Sequence, residues 1–219
     1  MSISTVIQGY WGWTWSQGQL PDDATLSIAF SGWSDPKTAL SDSSNELSKL
    51  TGERYLGLGG GNKNGSFNKN VLNDILTFIN QGQFDDYDGL AFDVEECDAG
   101  LESQFGQAFK AAKQRDLKVL VTVSHAAPYA CDDAKELMTA FFSDGNIDYL
   151  SPQLYTTGKE KENDYTVNPS LGVDWKDYAS SKAAIIPSIV KASYYQSAVD
   201  YFEQQDVNIV GYVQWEQIT

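Results

Sequence analysis

Asp88-Gly89-Leu90-Ala91-Phe92-Asp93-Val94-Glu95-Glu96 alternates with a period of two, the mark of a β-strand with two different faces. Leu90, Phe92 and Val94 point one way and need packing partners, whereas Gly89, Ala91, Asp93 and Glu95 point the other. The second face begins small and ends in two carboxylates. A strand with one packed face, and acids only at its C-terminal end, fits a parallel β/α barrel. There the outer face meets helices and the inner face opens at the top into a site. Asp93 and Glu95 stand side by side at that end, their α-carbons about 6–7 Å apart along the strand. At this spacing each charge shifts the other's pKa, and one acid can stay protonated near neutrality. Taken alone, an Asp and a Glu after an apolar run describe a solvated strand end more often than a site. The rest of the chain has to decide.

Seven further strand candidates lie at residues 6–11, 25–30, 54–59, 118–123, 147–155, 183–189 and 207–215. Helical spacing of apolar residues appears between most of them. Residues 67–81 carry Val71, Leu72, Ile75, Leu76 and Ile79, a strong amphipathic pattern. Residues 101–115, 132–142 and 193–204 follow the same period, residues 173–180 suggest a short helix, and 38–50 show a modest signal. No helical period follows the first strand, whose end Gly12-Trp13-Thr14-Trp15 is an aromatic turn. Eight strands alternating with helices, with no hairpin signal, predict an α/β fold closed as a (β/α)8 TIM barrel. At 219 residues the chain is near the lower limit for that fold, so a minimal version with trimmed or missing helices is expected, spanning 1–219 as one domain. An open doubly wound sheet is the alternative. Its phosphate-binding turn is not convincing here, because Gly57, Gly59, Gly60 and Gly61 do not open a helix.

The chain is 42% hydrophobic and 13% aromatic, enough for a sizeable core, and its formal net charge is −15. That charge argues against nucleic acid or an anionic membrane surface as partner. No apolar run is long enough to span a bilayer. Residues 1–5 show neither a basic region nor an apolar stretch, so no signal peptide is expected. Location stays open between a mature extracellular form and the cytoplasm. Two cysteines, Cys97 and Cys131, follow neighbouring strands; one bridge across the barrel top and a pair of free thiols are both open.

In such barrels the chemistry comes from the C-terminal ends of several strands. Those ends offer Tyr10, Trp11, Phe30, Gly59 to Gly61, Asp93, Glu95, His125, Gln153, Tyr155 and Trp215. Two acids, an amide, two tyrosines and tryptophan faces describe a sugar site, where aromatic faces meet pyranose C–H faces and polar groups fix hydroxyls. For Tyr10 or Trp215 alone, core packing is the ordinary reading. A lone His125 at a strand end is more often a structural hydrogen bonder, Glu96 and Asp98 read as solvated loop acids, and Asp88 as structural.

Asp88-Gly89-Leu90-Ala91-Phe92-Asp93-Val94-Glu95 resembles the DGxDxDxE strand of family 18 glycoside hydrolases, nearest their compact single-domain chitinase type. Leu56-Gly57-Leu58-Gly59-Gly60 resembles the family's SxGG strand, with Gly57 in place of Ser. Gln153-Leu154-Tyr155 resembles its Q-x-Y, Tyr10-Trp11-Gly12 and Ala29-Phe30 match its first two strands, and Trp215 matches the Trp that closes the eighth. The resemblance implies a retaining hydrolase of β-1,4-linked N-acetylglucosamine in chitin or in the core of N-glycans. In that scheme the substrate's own acetamido oxygen attacks the reacting carbon. Glu95 would be the general acid/base, Asp93 would hold the acetamido N–H, and Tyr155 would bond the acetamido oxygen. Tyr10, Trp11, Phe30, Gly59, Gln153 and Trp215 would bind the sugar. No cofactor or metal and no protein partner is implied, and a monomer is expected. The departure is Ala91, which stands where the family has a third acid. It motivates the alternative of a non-catalytic lectin or storage protein that binds N-acetylglucosamine-containing glycans. A metal-dependent hydrolase using Asp88, Asp93, Glu95, Glu96 or Asp98 is the remote third reading, since one histidine is too few for a zinc site.

Overall fold

The computed structural model describes residues 5–16 and 18–218; residues 1–4, on which the expectation about a leader rests, lie outside them. Eight parallel strands close into a barrel: β1 (Ile7–Trp13), β2 (Leu26–Phe30), β3 (Glu53–Gly59), β4 (Gly89–Val94), β5 (Lys118–Ser124), β6 (Tyr149–Gln153), β7 in two pieces (Ala184–Ile185 and Ser188–Ile189), and β8 (Gly211–Gln214). The two ends of the chain's order meet where Ile7 to Tyr10 of β1 pair with Gly211 to Gln214 of β8. Proline sets the strand lengths in the last third. Pro187 has no N–H to give a ladder and divides β7, and Pro152 lies in the short β6. The expected run 207–215 becomes a strand only from Gly211, where β8 passes so close to β1 that a Cβ on Gly211 would lie 2.3 Å from the Ile7 carbonyl oxygen.

Among the described residues, five α-helices cover the barrel: α1 (Pro36–Ser43), α2 (Lys69–Asn80), α3 (Glu102–Gln114), α4 (Ala134–Ser143) and α5 (Tyr195–Glu203). The Asp35 side chain accepts the Thr38 N–H at 2.8 Å and caps α1, with Pro36 at its first position. Asn68 caps α2 in the same way through the Val71 N–H. The helix expected over 38–50 is shorter. Ser41, Asp42, Ser43 and Ser44 compete with the backbone for hydrogen bonds, so α1 stops at Ser43 and only a 3-10 turn, Leu47–Lys49, follows. The short helix expected over 173–180 is likewise a 3-10 turn, Trp175–Ser180, closed by a capping box between Asp174 and Asp177.

Alternation in β4 sorts the core into two layers. Leu90, Phe92 and Val94 face the helices. Phe92 packs against Phe105 and Phe109 of α3 at ring-centroid distances of 6.4 and 5.0 Å, and Phe105 meets Phe141 of α4 at 5.4 Å. Each buried phenylalanine contributes about 1.5–3 kcal/mol by burial, so this cluster clamps the back of β4. Ala91 faces inward with Trp11, Ile28, Phe30, Tyr55, Leu120 and Val213, which fill the barrel itself. Just past β4, Glu96–Cys97 pairs in parallel with Ala130–Cys131, and Cys97 and Cys131 form a disulfide.

Candidate active site

Above Ala91 the inward face of β4 presents Asp93, which is 2% exposed, and then Glu95 at the bend that ends the strand. Gln153, from the end of β6, lies across both acids. Its Nε2 donates to Asp93 Oδ1 at 3.0 Å and to Thr122 Oγ1 at 3.2 Å, and stands 3.4 Å from Glu95 Oε1. The two carboxyls are also hydrogen-bonded to each other. Burial, then the Glu95 charge and the hydrogen bond to it, hold the Asp93 carboxyl well above the usual carboxylate range. Burial also raises Glu95, against the hydrogen bonds from Asp93 and Gln153 that lower it. Burial and mutual charge therefore favour one shared proton on this pair above the ordinary carboxylate range.

Close backbone approach makes room for this pair. Gly59 is the β3 neighbour of Asp93, with φ at +100°, and a Cβ there would lie 2.3 Å from the Asp93 carbonyl oxygen. Gly61 faces the second acid, and a Cβ on it would sit 2.6 Å from Glu95 Oε2. The backbone of Glu95 is held from the other side, where its carbonyl accepts the Ala130 N–H at 3.0 Å.

Asp93, Glu95, Gln153, Tyr155, Phe30 and Trp215 line one open pocket of about 270 Å³ at the C-terminal mouth of the barrel. Tyr155 lies nearly parallel to Trp215, with ring centroids 5.7 Å apart and planes at 29°. Its hydroxyl is buried, with the Ser188 side chain within its reach. Burial first, then the Asp93 and Glu95 charges, raise its pKa far above the ordinary value, so it stays a donor. Trp215 is wedged by Trp11, Trp13 and Phe30 at 5.7, 4.8 and 5.5 Å.

Three of the residues expected to bind the sugar, Tyr10, Trp11 and Gly59, lie outside this lining. Tyr10 has the parity of the outer face and packs between barrel and helices, its ring 6.3 Å from that of Tyr212 and its hydroxyl 3.4 Å from the Tyr212 hydroxyl. A one-residue offset in an alternating strand sends a side chain to the opposite face, and here the inward residues are Gly9, Trp11 and Trp13. Trp11 does face inward, but beneath the pocket, buried and donating from Nε1 to Ser188 Oγ at 3.2 Å. Gly59 acts behind the acids through its backbone. His125 bonds Thr156 Oγ1 through Nε2 at 2.9 Å, and Glu96 accepts the Tyr129 hydroxyl. Asp88 sits at the opposite end of β4, accepting the Arg54 N–H at 2.8 Å. Among the described residues no three His, Cys, Asp or Glu side chains gather as a metal site.

The pocket also includes Trp15, Asn62, Thr156, Thr157 and Gly158, which sequence patterns did not single out because loops carry no period. For Trp15 a signal was present: Trp11, Trp13 and Trp15 alternate, and Trp15 stacks on Trp13 at 5.6 Å. The Thr156–Gly158 turn is fixed by Glu160, whose Oε1 accepts the Thr156 and Thr157 N–H groups at 2.8 and 2.6 Å. Those bonds outweigh burial and bring the Glu160 carboxyl down to about 2.

No protein-family model matches the chain, and no curated protein matches it by sequence. Solved structures do share its architecture. The spore cortex-lytic enzyme SleL of Bacillus megaterium QM B1551 superposes with a TM-score of 0.58 at 11% identity, covering 97% of this chain and 71% of that one. The type I 3-dehydroquinate dehydratase of Clostridium difficile gives 0.51 at 9% identity, covering 99% and 88%. A chitinase from Chromobacterium violaceum ATCC 12472 gives 0.45 at 13%, covering 84% and 68%. At these identities the two likenesses above 0.5 establish the (β/α)8 barrel alone. The two neighbours above 0.5 bear names of different chemistries, so the choice of reaction rests on the site.

Proposed function

We propose that this chain is a glycoside hydrolase of family 18 type, a retaining enzyme for β-1,4-linked N-acetylglucosamine polymers or oligosaccharides. The observation that carries the reading is the buried Asp93–Glu95 pair at the barrel mouth, spanned by Gln153 and lining one pocket with Tyr155 and Trp215.

The chemistry follows from that geometry. A sugar resting on Trp215 presents its acetamido group to Asp93 and Tyr155. The acetamido N–H favours the ionised form of Asp93, so the shared proton moves to Glu95. Glu95 then donates it to the leaving glycosidic oxygen. The acetamido carbonyl oxygen, held by the Tyr155 hydroxyl, attacks the reacting carbon from the other side, and the oxazolinium that forms is stabilised by Asp93. Glu95, now a carboxylate, deprotonates the water that opens this ring, giving net retention. The protein supplies no nucleophile.

A second reading rests on Ala91. With an apolar residue beneath it, Asp93 has no lower acid to share its proton with, as a lectin built on this scaffold could tolerate. Hydrolysis of a chitin oligosaccharide from pH 3 to 8 decides, with Glu95→Gln alongside. Turnover that falls about 10²-fold or more in Glu95→Gln supports the enzyme. Absence of turnover in both proteins, with saturable binding in both, supports the lectin.

A further inference from the structure

Among the described residues, four large apolar side chains are exposed: Val6, Trp15, Tyr129 and Ile218. The two aromatic ones, at 58% and 51% exposure, both stand on loops at the C-terminal mouth of the barrel. Trp15 follows β1 and Tyr129 follows β5, strands that are diametrically opposite in an eight-stranded barrel. Trp15 lines the pocket of the acid pair, and the Glu95 and Asp93 charges reach Tyr129.

Tyr129 is held in place. Its hydroxyl donates to Glu96, the residue next to Glu95, and its N–H donates to Ser124 Oγ at 2.9 Å. The following two residues, Ala130 and Cys131, are paired and disulfide-linked to Glu96 and Cys97. An aromatic ring fixed by these ties, yet half open to solvent, forgoes burial without gaining mobility. That is the arrangement of a preformed contact platform. Beside the ring is a cavity of about 110 Å³ walled by His125, Ala126, Ala127, Val167, Leu171 and Val173, room for a small acyl substituent.

Trp215, Trp13, Trp15 and Phe30 form one aromatic group, three of whose rings line the acid pocket. On the proposed function, on which this inference rests, that group floors the sugar that is attacked, so the sugar beyond Glu95 is the leaving group. We infer that Tyr129 is the leaving-group-side platform, stacking on the first sugar beyond the cleaved bond. The substrate is then a chain that crosses the whole barrel mouth from Trp15 to Tyr129 and is cut internally.

The test compares two substrates in wild type, Tyr129→Ala and Tyr129→Phe. One is a chitin hexasaccharide, with sugars on both sides of the cut. The other is the fluoride of the di-N-acetylated disaccharide, whose leaving atom is too small to reach Tyr129. In Tyr129→Ala, kcat/KM on the hexasaccharide is expected to fall about tenfold or more, with at least ten times less loss on the fluoride. Tyr129→Phe, which keeps the ring, is expected to retain most of the hexasaccharide rate. Equal losses on both substrates, or no loss on the hexasaccharide, would overturn the assignment while leaving the hydrolase standing. A wild type that turns over neither substrate overturns both.

Discussion

Gly61 lies so close to Glu95 that a single methyl group on it would sit 2.6 Å from Oε2, well inside van der Waals contact. The position of the proposed acid is thus set by a residue with no side chain. Gly61→Ala must displace the Glu95 carboxyl from this position. A displacement approaching 1 Å is enough to cost about 10²-fold in rate. The expected outcome is a 10- to 100-fold fall in kcat by this estimate, with a melting temperature close to wild type, read by oligosaccharide turnover and thermal denaturation on the same preparation.

The raised Asp93 and Glu95 carboxyls also predict a stability signature. Their folded pKa values lie above the unfolded ones, so the folded state binds more protons. Their contribution is fully present below the unfolded carboxylate range, near pH 4, and is lost as pH rises through the folded values. Asp93→Asn removes the need to take up a proton on folding at neutral pH. Its melting temperature should exceed wild type at pH 7 by about 2–4 °C for each kcal/mol gained, and the difference should shrink toward pH 4. A gap independent of pH would mean that Asp93 is not raised.

Ala91 is buried inside the barrel beside Leu120 and Tyr55, directly beneath Asp93 on the same face. Ala91→Asp gives Asp93 a second carboxyl with which to share its proton. It also places a polar group among apolar neighbours. We expect a lower melting temperature together with a shift of the acid limb of the pH–rate profile. An unchanged profile in a folded variant would show that the missing acid does not tune this pair.

The Cys97–Cys131 bridge closes a loop of sequence separation 34 directly after Glu95. Loop-closure entropy assigns such a link about 4 kcal/mol. The double variant Cys97→Ser/Cys131→Ser should therefore melt roughly 8–15 °C lower. Because Ala130 also bonds the Glu95 carbonyl, kcat should fall at temperatures where the variant is still folded. Full activity there would separate the bridge from the placement of Glu95.

The alternation of residues 88–96 carries most of what the sequence by itself determined. Period two fixes which residues share a face, and a strand with Leu90, Phe92 and Val94 on one side has to bury them against helices. Eight such strands with helices between them leave closure as the economical arrangement. The convergence of Asp93, Glu95, Gln153, Tyr155, Phe30 and Trp215 follows from the same rule, because strand ends in a closed parallel barrel meet at one mouth. Only the tertiary structure decided what depends on distances between segments with no shared period. It turned Tyr10 outward, sank Trp11 beneath the pocket, joined Cys97 to Cys131, and brought Gly61, Trp15 and the Thr156–Gly158 turn to the acids. Face parity is a local property of the backbone. The offset of one strand against its neighbours and the path of each loop are set by packing across the whole barrel.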